Sequence, residues 1–218
     1  MRGIITISLL AAATAGALMY STTGQFHRIA ALHFPKSVSK AAIEPRHLDA
    51  LRSKAADAKS YASAKGFNTQ ICFLIDMNMA SGANRFFVYD LRKDSIRNAA
   101  PVTHGRCNED WLEGRRYGNT VGCGCSSLGR YRVGKSYHGR FGLAYKLHGL
   151  DKTNDKAFER YVVLHSHECV PSNAVEEDIC QSDGCPTVSP GYLAYLKPII
   201  DKSAKPVLLW IYDSSLGD

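Results

Sequence analysis

The segment Val162–Val188 reads VVLHSHECVPSNAVEEDICQSDGCPTV. An apolar, strand-like run, Tyr161-Val162-Val163-Leu164, delivers His165 at its end. After a long loop comes Ser182-Asp183-Gly184-Cys185-Pro186. A free thiol has a pKa of about 8.5, so little of it is thiolate at neutral pH. A nearby imidazole takes its proton and later returns one as a general acid. Gly184 permits a tight turn and the close approach of a substrate backbone. Pro186 disfavours helical backbone at Cys185 and carries no N–H. An oxyanion hole built locally therefore draws on the N–H groups of Gly184 and Cys185. On these residues alone, a disulfide-bonded Cys185 and a hydrogen-bonded core histidine form the competing reading.

Outward from this segment, short apolar runs separated by Gly, Asn and Ser clusters predict a β-rich domain with a few helices. The runs are Ile71–Met77, Phe86–Leu91, Arg130–Val133, Ala144–Leu147, Tyr161–His165 and Pro206–Tyr212. Val207–Tyr212 is apolar throughout and reads as a strand buried on both faces. Leu48, Leu51, Ala55, Ala58 and Ala62 recur at helical spacing, which predicts a helix from about Pro45 to Lys65 stopped at Gly66. Its apolar face is rich in small residues, so it is expected to pack on the domain. Shorter helices are expected at Tyr192–Lys202 and Asp155–Arg160.

Several of these stretches together resemble the L,D-transpeptidases, the YkuD-like catalytic domains, in the branch that reads Gly-Cys-Pro after a serine. The resemblance rests on His165 with Ser182-Asp183-Gly184-Cys185-Pro186, on Phe73–Met77 and Asn84–Leu91, and on Val102-Thr103-His104-Gly105. Ser126-Ser127-Leu128-Gly129-Arg130-Tyr131, Tyr137–Gly142 and Leu147–Leu150 continue it, so that it runs from about Cys72 to Tyr212. Two positions depart from the commoner family motif, which has Gly after the histidine and Arg shortly after the cysteine. Here they hold Ser166 and the run Pro186-Thr187-Val188. The Asp183 slot often holds a histidine in relatives.

The resemblance implies acyl transfer on peptidoglycan stem peptides. Cys185 attacks the carbonyl between an L- and a D-residue, and His165 serves as base, oriented by the Ser166 carbonyl. An amine acceptor, peptide or protein, then resolves the thioester. Hydrolysis of the same bonds by an L,D-carboxypeptidase or amidase is the alternative within enzymes. A non-catalytic, disulfide-stapled wall-binding module is the alternative outside them. Ser182 is the polar neighbour of Cys185, and His104, Ser126, Ser127 and Asp183 are candidates to line the substrate groove.

The chain has 218 residues and a net charge of +7, with Lys and Arg scattered and no long basic block, so no nucleic-acid surface is indicated. Residues 1–20 read as a signal peptide or membrane anchor: Arg2, the apolar run Ile4–Ala12, then small residues. Either reading puts the remainder outside the cytoplasm, with membrane contact only through an uncleaved leader. Residues 21–66 follow as tether and helix, and 67–218 as the catalytic domain. With Cys185 set aside as a free thiol, six of the seven cysteines remain. Cys169 and Cys180 flank the loop between base and nucleophile, and their pairing would hold His165 and Cys185 in register. Cys107 with Cys123 or Cys125 would clamp the other long loop, and Cys72 lies in an apolar strand. The short Cys pairs of structural zinc sites are absent, so neither a metal nor another cofactor is expected.

Overall fold

The computed structural model describes residues 43–216. The proposed leader, residues 1–20, and the tether up to residue 42 lie outside them. Helix α1 spans Pro45–Lys65, with Pro45 in its first turn. It ends where Gly66 adopts φ +75°, a left-handed cap that an L side chain resists. Eight strands follow in one mixed sheet: β1 (Ile71–Asp76), β2 (Phe86–Asp90), β3 (Ser95–Ala100), β4 (Gly129–Gly139), β5 (Gly142–Gly149), β6 (Val163–Ser166), β7 (Thr187–Val188) and β8 (Leu208–Tyr212). Their order across the sheet is β3-β2-β1-β8-β4-β5-β6-β7. Helix α2, Pro190–Asp201, is capped by the Ser189 hydroxyl, which accepts from the Tyr192 N–H.

The helices take opposite faces of the sheet. Leu51, Ala55, Ala58 and Ala62 of α1 bury against Cys72, Leu74, Leu208 and Tyr212. Their small side chains let the helix lie close to the strands. On the other face Tyr192, Leu193 and Leu196 of α2 join Phe73, Ile75, Leu164, Leu209 and Ile211. Strand β8 runs parallel to β1 and antiparallel to β4, contributing to both cores, as its uninterrupted apolar run predicts. Among the described residues no helix is long and apolar enough to cross a membrane.

One expectation is corrected, and two strands carry no signal in the sequence. Asp155–Arg160 forms overlapping turns, not a helix. Asn154 turns its side chain onto the Arg130 carbonyl and the Asp151 N–H, and a six-residue segment is too short to propagate a helix on its own. Strand β3 was not foreseen because Ser-Ile-Arg-Asn-Ala-Ala is a polar edge strand. Strand β7 has two residues, too few to carry a periodic pattern.

Candidate active site

His165 sits near the carboxyl end of β6, its Cα opposite Ala144 of β5 on one side and Thr187 of β7 on the other. It is 5% exposed. Its Nδ1 lies 3.2 Å from the Ser166 carbonyl oxygen and its Nε2 lies 3.0 Å from the Thr187 hydroxyl. A carbonyl only accepts, so Nδ1 carries the proton and Nε2 presents its lone pair, to which Thr187 Oγ1 donates. Burial pushes the imidazole pKa below its ordinary value, assisted by neighbouring His167 and opposed by the Ser166 carbonyl. The ring is therefore neutral at pH 7, in the tautomer a general base needs. Phe141, from the β4–β5 turn, stacks on it with ring centroids 4.7 Å apart.

Cys185 follows Gly184, which has φ +106° and packs directly on the Cys125 carbonyl. A Cβ at position 184 would stand 2.5 Å from that oxygen, so only glycine fits. The Cys185 carbonyl is pinned by the Ser182 hydroxyl at 2.7 Å and the Thr103 hydroxyl at 3.1 Å. The thiol faces the opposite way, with Sγ 3.5 Å from the Val163 N–H and 3.8 Å from the Tyr161 carbonyl. Tyr161 has φ +57°, an unusual conformation for a non-glycine residue, at the turn leading into β6. Burial raises the Cys185 pKa, against the pull of the Val163 N–H and of Arg160. Thiol and neutral imidazole, not a preformed ion pair, are the resting state.

His165, Cys185, Ser182, Asp183 and Thr187 line one cleft of about 330 Å³, walled at its outer side by Phe141 and Arg106. Asp183 is pulled toward Arg106, whose Nε donates at 2.8 Å. Ser182 Oγ accepts from the Gly184 N–H at 3.2 Å. One of the two amides expected to face an oxyanion is thus already engaged, and Ser182 steadies the turn, not the histidine ring.

The remaining candidates sit behind this cleft. Ser126 is 1% exposed and accepts from the Gly105 N–H at 2.9 Å. Ser127 is 2% exposed and donates to the Gly118 carbonyl at 2.7 Å. Both satisfy buried backbone groups of the loop that backs Cys185. His104, 2% exposed, lies between Arg85 Nη2 at 3.2 Å from its Nδ1 and Arg115 Nη1 at 3.4 Å from its Nε2. Burial and the two guanidinium groups lower its pKa to about 3, so it remains neutral. Its backbone carbonyl accepts from the Ser182 N–H at 2.9 Å, which couples it to the turn that carries Cys185.

Sequence reading missed Thr187, Thr103 and Arg160. Arg160 donates to the Cys125 carbonyl at 2.5 Å and to the Gly118 carbonyl at 2.9 Å, joining the turn before β6 to the segment under Gly184. Only Thr187 had a local signal, lying two residues beyond Cys185. The disulfides are Cys107–Cys125 and Cys169–Cys180, and Cys72, Cys123 and Cys185 are free. Among the described residues no group of three or more His, Cys, Asp or Glu side chains is arranged to hold a metal ion.

Residues 44–212 match the family model of the L,D-transpeptidase catalytic domain. The chain belongs to this family. The match takes in α1 with the sheet, in keeping with the packing of that helix on β1 and β8. Among solved structures, the chain is similar to the L,D-transpeptidase (residues 123–326) of Xylanimonas cellulosilytica, at 12% identity and a TM-score of 0.36, covering 83% of this chain and 99% of that one. It is also similar to a fused Zn-dependent amidase/peptidase/peptidoglycan-binding domain-containing protein of Clostridium acetobutylicum, at 12% identity and a TM-score of 0.37, covering 83% and 67%. No curated protein matches the chain.

Proposed function

We propose that this L,D-transpeptidase-family domain performs acyl transfer on peptidoglycan stem peptides, with Cys185 as nucleophile and His165 as acid and base. The observation that carries this reading is the pairing in one cleft of a free thiol with a buried histidine whose Nδ1 faces the Ser166 carbonyl. As a substrate enters, Nε2 exchanges the Thr187 hydroxyl for the Cys185 thiol and removes its proton. Sulfur bonds to the carbonyl carbon of an L–D peptide bond. The oxyanion that forms is met by the Cys185 N–H. The C–N bond then breaks, and the proton on Nε2 passes to the leaving amine, which leaves a thioester on Cys185.

An acceptor amine repeats the sequence in reverse. It gives a proton to Nε2, bonds to the thioester carbon and expels the thiolate, which recovers the proton. Water in place of the amine gives hydrolysis, so product analysis separates transpeptidase from carboxypeptidase. The two disulfides fit an oxidising, extracytoplasmic compartment.

Incubation with a carbapenem followed by intact-mass spectrometry tests the chemistry. The strained lactam carbonyl is an acyl donor for the same thiol, and one adduct, mapped to Cys185, is expected. Absence of an adduct after long incubation, with the thiol still titratable, counts against a transpeptidase.

A further inference from the structure

The Cys185 thiol stands between two cavities. The cleft with His165 lies on one side. On the other, Tyr161 and Val163, whose carbonyl and N–H lie 3.8 and 3.5 Å from the sulfur, wall with Val162 a pocket of about 250 Å³ that Tyr137, Lys146 and Phe158 close. The same Tyr137, Lys146 and Phe158 belong to a trough of about 1000 Å³ that continues past Arg132 and Lys135 to Lys205, in the turn between α2 and β8. Tyr161 is 85% exposed and Phe158 52%, an unusual outlay of aromatic surface beside a reactive group.

The trough is predominantly positive. Arg132, Lys135, Lys146 and Lys205 line it, and among the described residues none of them makes an ion pair. Its acidic residue, Asp201, is held by Lys197 at 2.5 Å and by the Tyr145 hydroxyl at 2.9 Å. The Lys146 ammonium lies over Phe158 at 5.4 Å and over Tyr137 at 5.7 Å, and His148 stacks on Phe158 at 5.0 Å. Its neighbours Arg132 and Lys146 help burial to lower the His148 pKa, a sign of the positive field in the trough.

The chemistry assigns the two sides, given the reading of Cys185 and His165 above. The leaving amine must receive a proton from His165, and the acceptor amine must lose one to it. Both therefore occupy the His165 cleft in turn. The acyl chain stays on sulfur throughout and must leave the first cleft open for the exchange. We infer that the trough from Tyr161 to Lys205 binds the acyl-donor strand, and that Lys135, Lys146 and Lys205 select a donor whose peptide bears free carboxylates. Phe158 and Tyr161 present flat faces to the uncharged parts of the same strand.

The test uses soluble disaccharide–peptides with free or amidated side carboxylates, and two readouts. The first is binding to a Cys185→Ala protein. The second is turnover by the protein with Cys185 intact. Each is measured with and without Lys135→Glu/Lys146→Glu. Reversing two exposed charges is expected to weaken binding and lower kcat/KM for the acidic donor about tenfold or more, and to spare the amidated donor. Alkylation of Cys185 by iodoacetamide, which needs no donor strand, should keep its rate, and this shows the variant folded. Equal loss for both donors, or no loss for either, overturns the inference. Charge-dependent binding without turnover keeps the trough and rejects the acyl-transfer reading. Turnover that ignores the substitutions does the reverse, and failure of both binding and turnover in the unsubstituted protein rejects both.

Discussion

Two disulfide-closed loops flank Cys185, and they hold it to very different degrees. The loop before β4 carries Cys107–Cys125, and the loop between β6 and β7 carries Cys169–Cys180. The first is bonded to the Cys185 turn at several points. Gly105 bridges Ser182, the Arg106 N–H donates to the Ser182 carbonyl at 2.8 Å, and Gly184 rests on the Cys125 carbonyl. The stretch closed by the second disulfide contains neither His165 nor Cys185; Cys169 touches their cleft, but the middle of the stretch is bonded elsewhere. Its Val175 N–H donates to the Gly82 carbonyl at 3.0 Å, and its Asp178 accepts from the Ser81 hydroxyl at 2.5 Å. Closeness along the chain made Cys169–Cys180 look like the clamp on the active site. Closeness in space adds Cys107–Cys125, whose Cys125 carbonyl lies directly against Gly184, while Cys169 borders the cleft.

The sharpest way to break this comparison is at the contact itself. Gly184→Ala introduces a Cβ where the Cys125 carbonyl already stands, at a φ an alanine resists. The turn must move, and a displacement of about 1 Å at a nucleophile is expected to cost about 10²-fold in kcat/KM. Retained activity in that variant would mean the back loop does not set the thiol's position.

Next in size is the pair of disulfide deletions. Cys107→Ser/Cys125→Ser is expected to lower kcat/KM roughly tenfold, a fraction of the cost of full misplacement. Cys169→Ser/Cys180→Ser is expected to change it by no more than about threefold, since the middle of the stretch it closes is bonded to Ser81 and Gly82. The chain separations of 18 and 11 residues are similar, so each pair should give up comparable stability, on the order of 3 kcal/mol. Melting curves and initial rates on the two variants decide it. Equal losses of activity would erase the distinction between the loops.

The same contrast explains how far the sequence could be read. The strands β1, β2 and β8 announce themselves because both their faces are buried and no polar residue interrupts the run except at the ends. The edge strand β3 buries little and hides in a polar segment. At the site, His165 and Cys185 were legible because a strand end and a Gly-Cys-Pro turn are local features. Which way a flanking residue faces is not local. His104, Ser126 and Ser127 accompany the motif, yet each is spent on buried backbone or on a guanidinium sandwich. Arg160 and Thr103 act across long chain separations, and nothing in their neighbours' identities reveals that.

The smallest expected effect concerns the base. As a general base His165 must be neutral, and its lowered pKa places the acid limb of kcat/KM below the ordinary histidine value of 6.5. Activity is present above that limb and lost as pH falls through it. The Thr187 hydroxyl donates to Nε2 and favours the neutral ring. Thr187→Val should therefore move the acid limb to higher pH, with a plateau rate changed by no more than about fivefold, the worth of one neutral hydrogen bond. A limb that stays in place means that Thr187 does not tune the histidine. Because Cys185 is a thiol at rest, its alkylation by iodoacetamide should keep rising with pH beyond the ordinary cysteine range.

The claim on which the rest depends is that Cys185 carries the acyl group. Mass spectrometry of muropeptides incubated with the protein and with Cys185→Ala tests it most directly. The protein should convert stem peptides to crosslinked or shortened products by exchange at an L–D bond, and Cys185→Ala, folded and able to bind them, should yield none. Products from the alanine variant at a comparable rate would contradict the account.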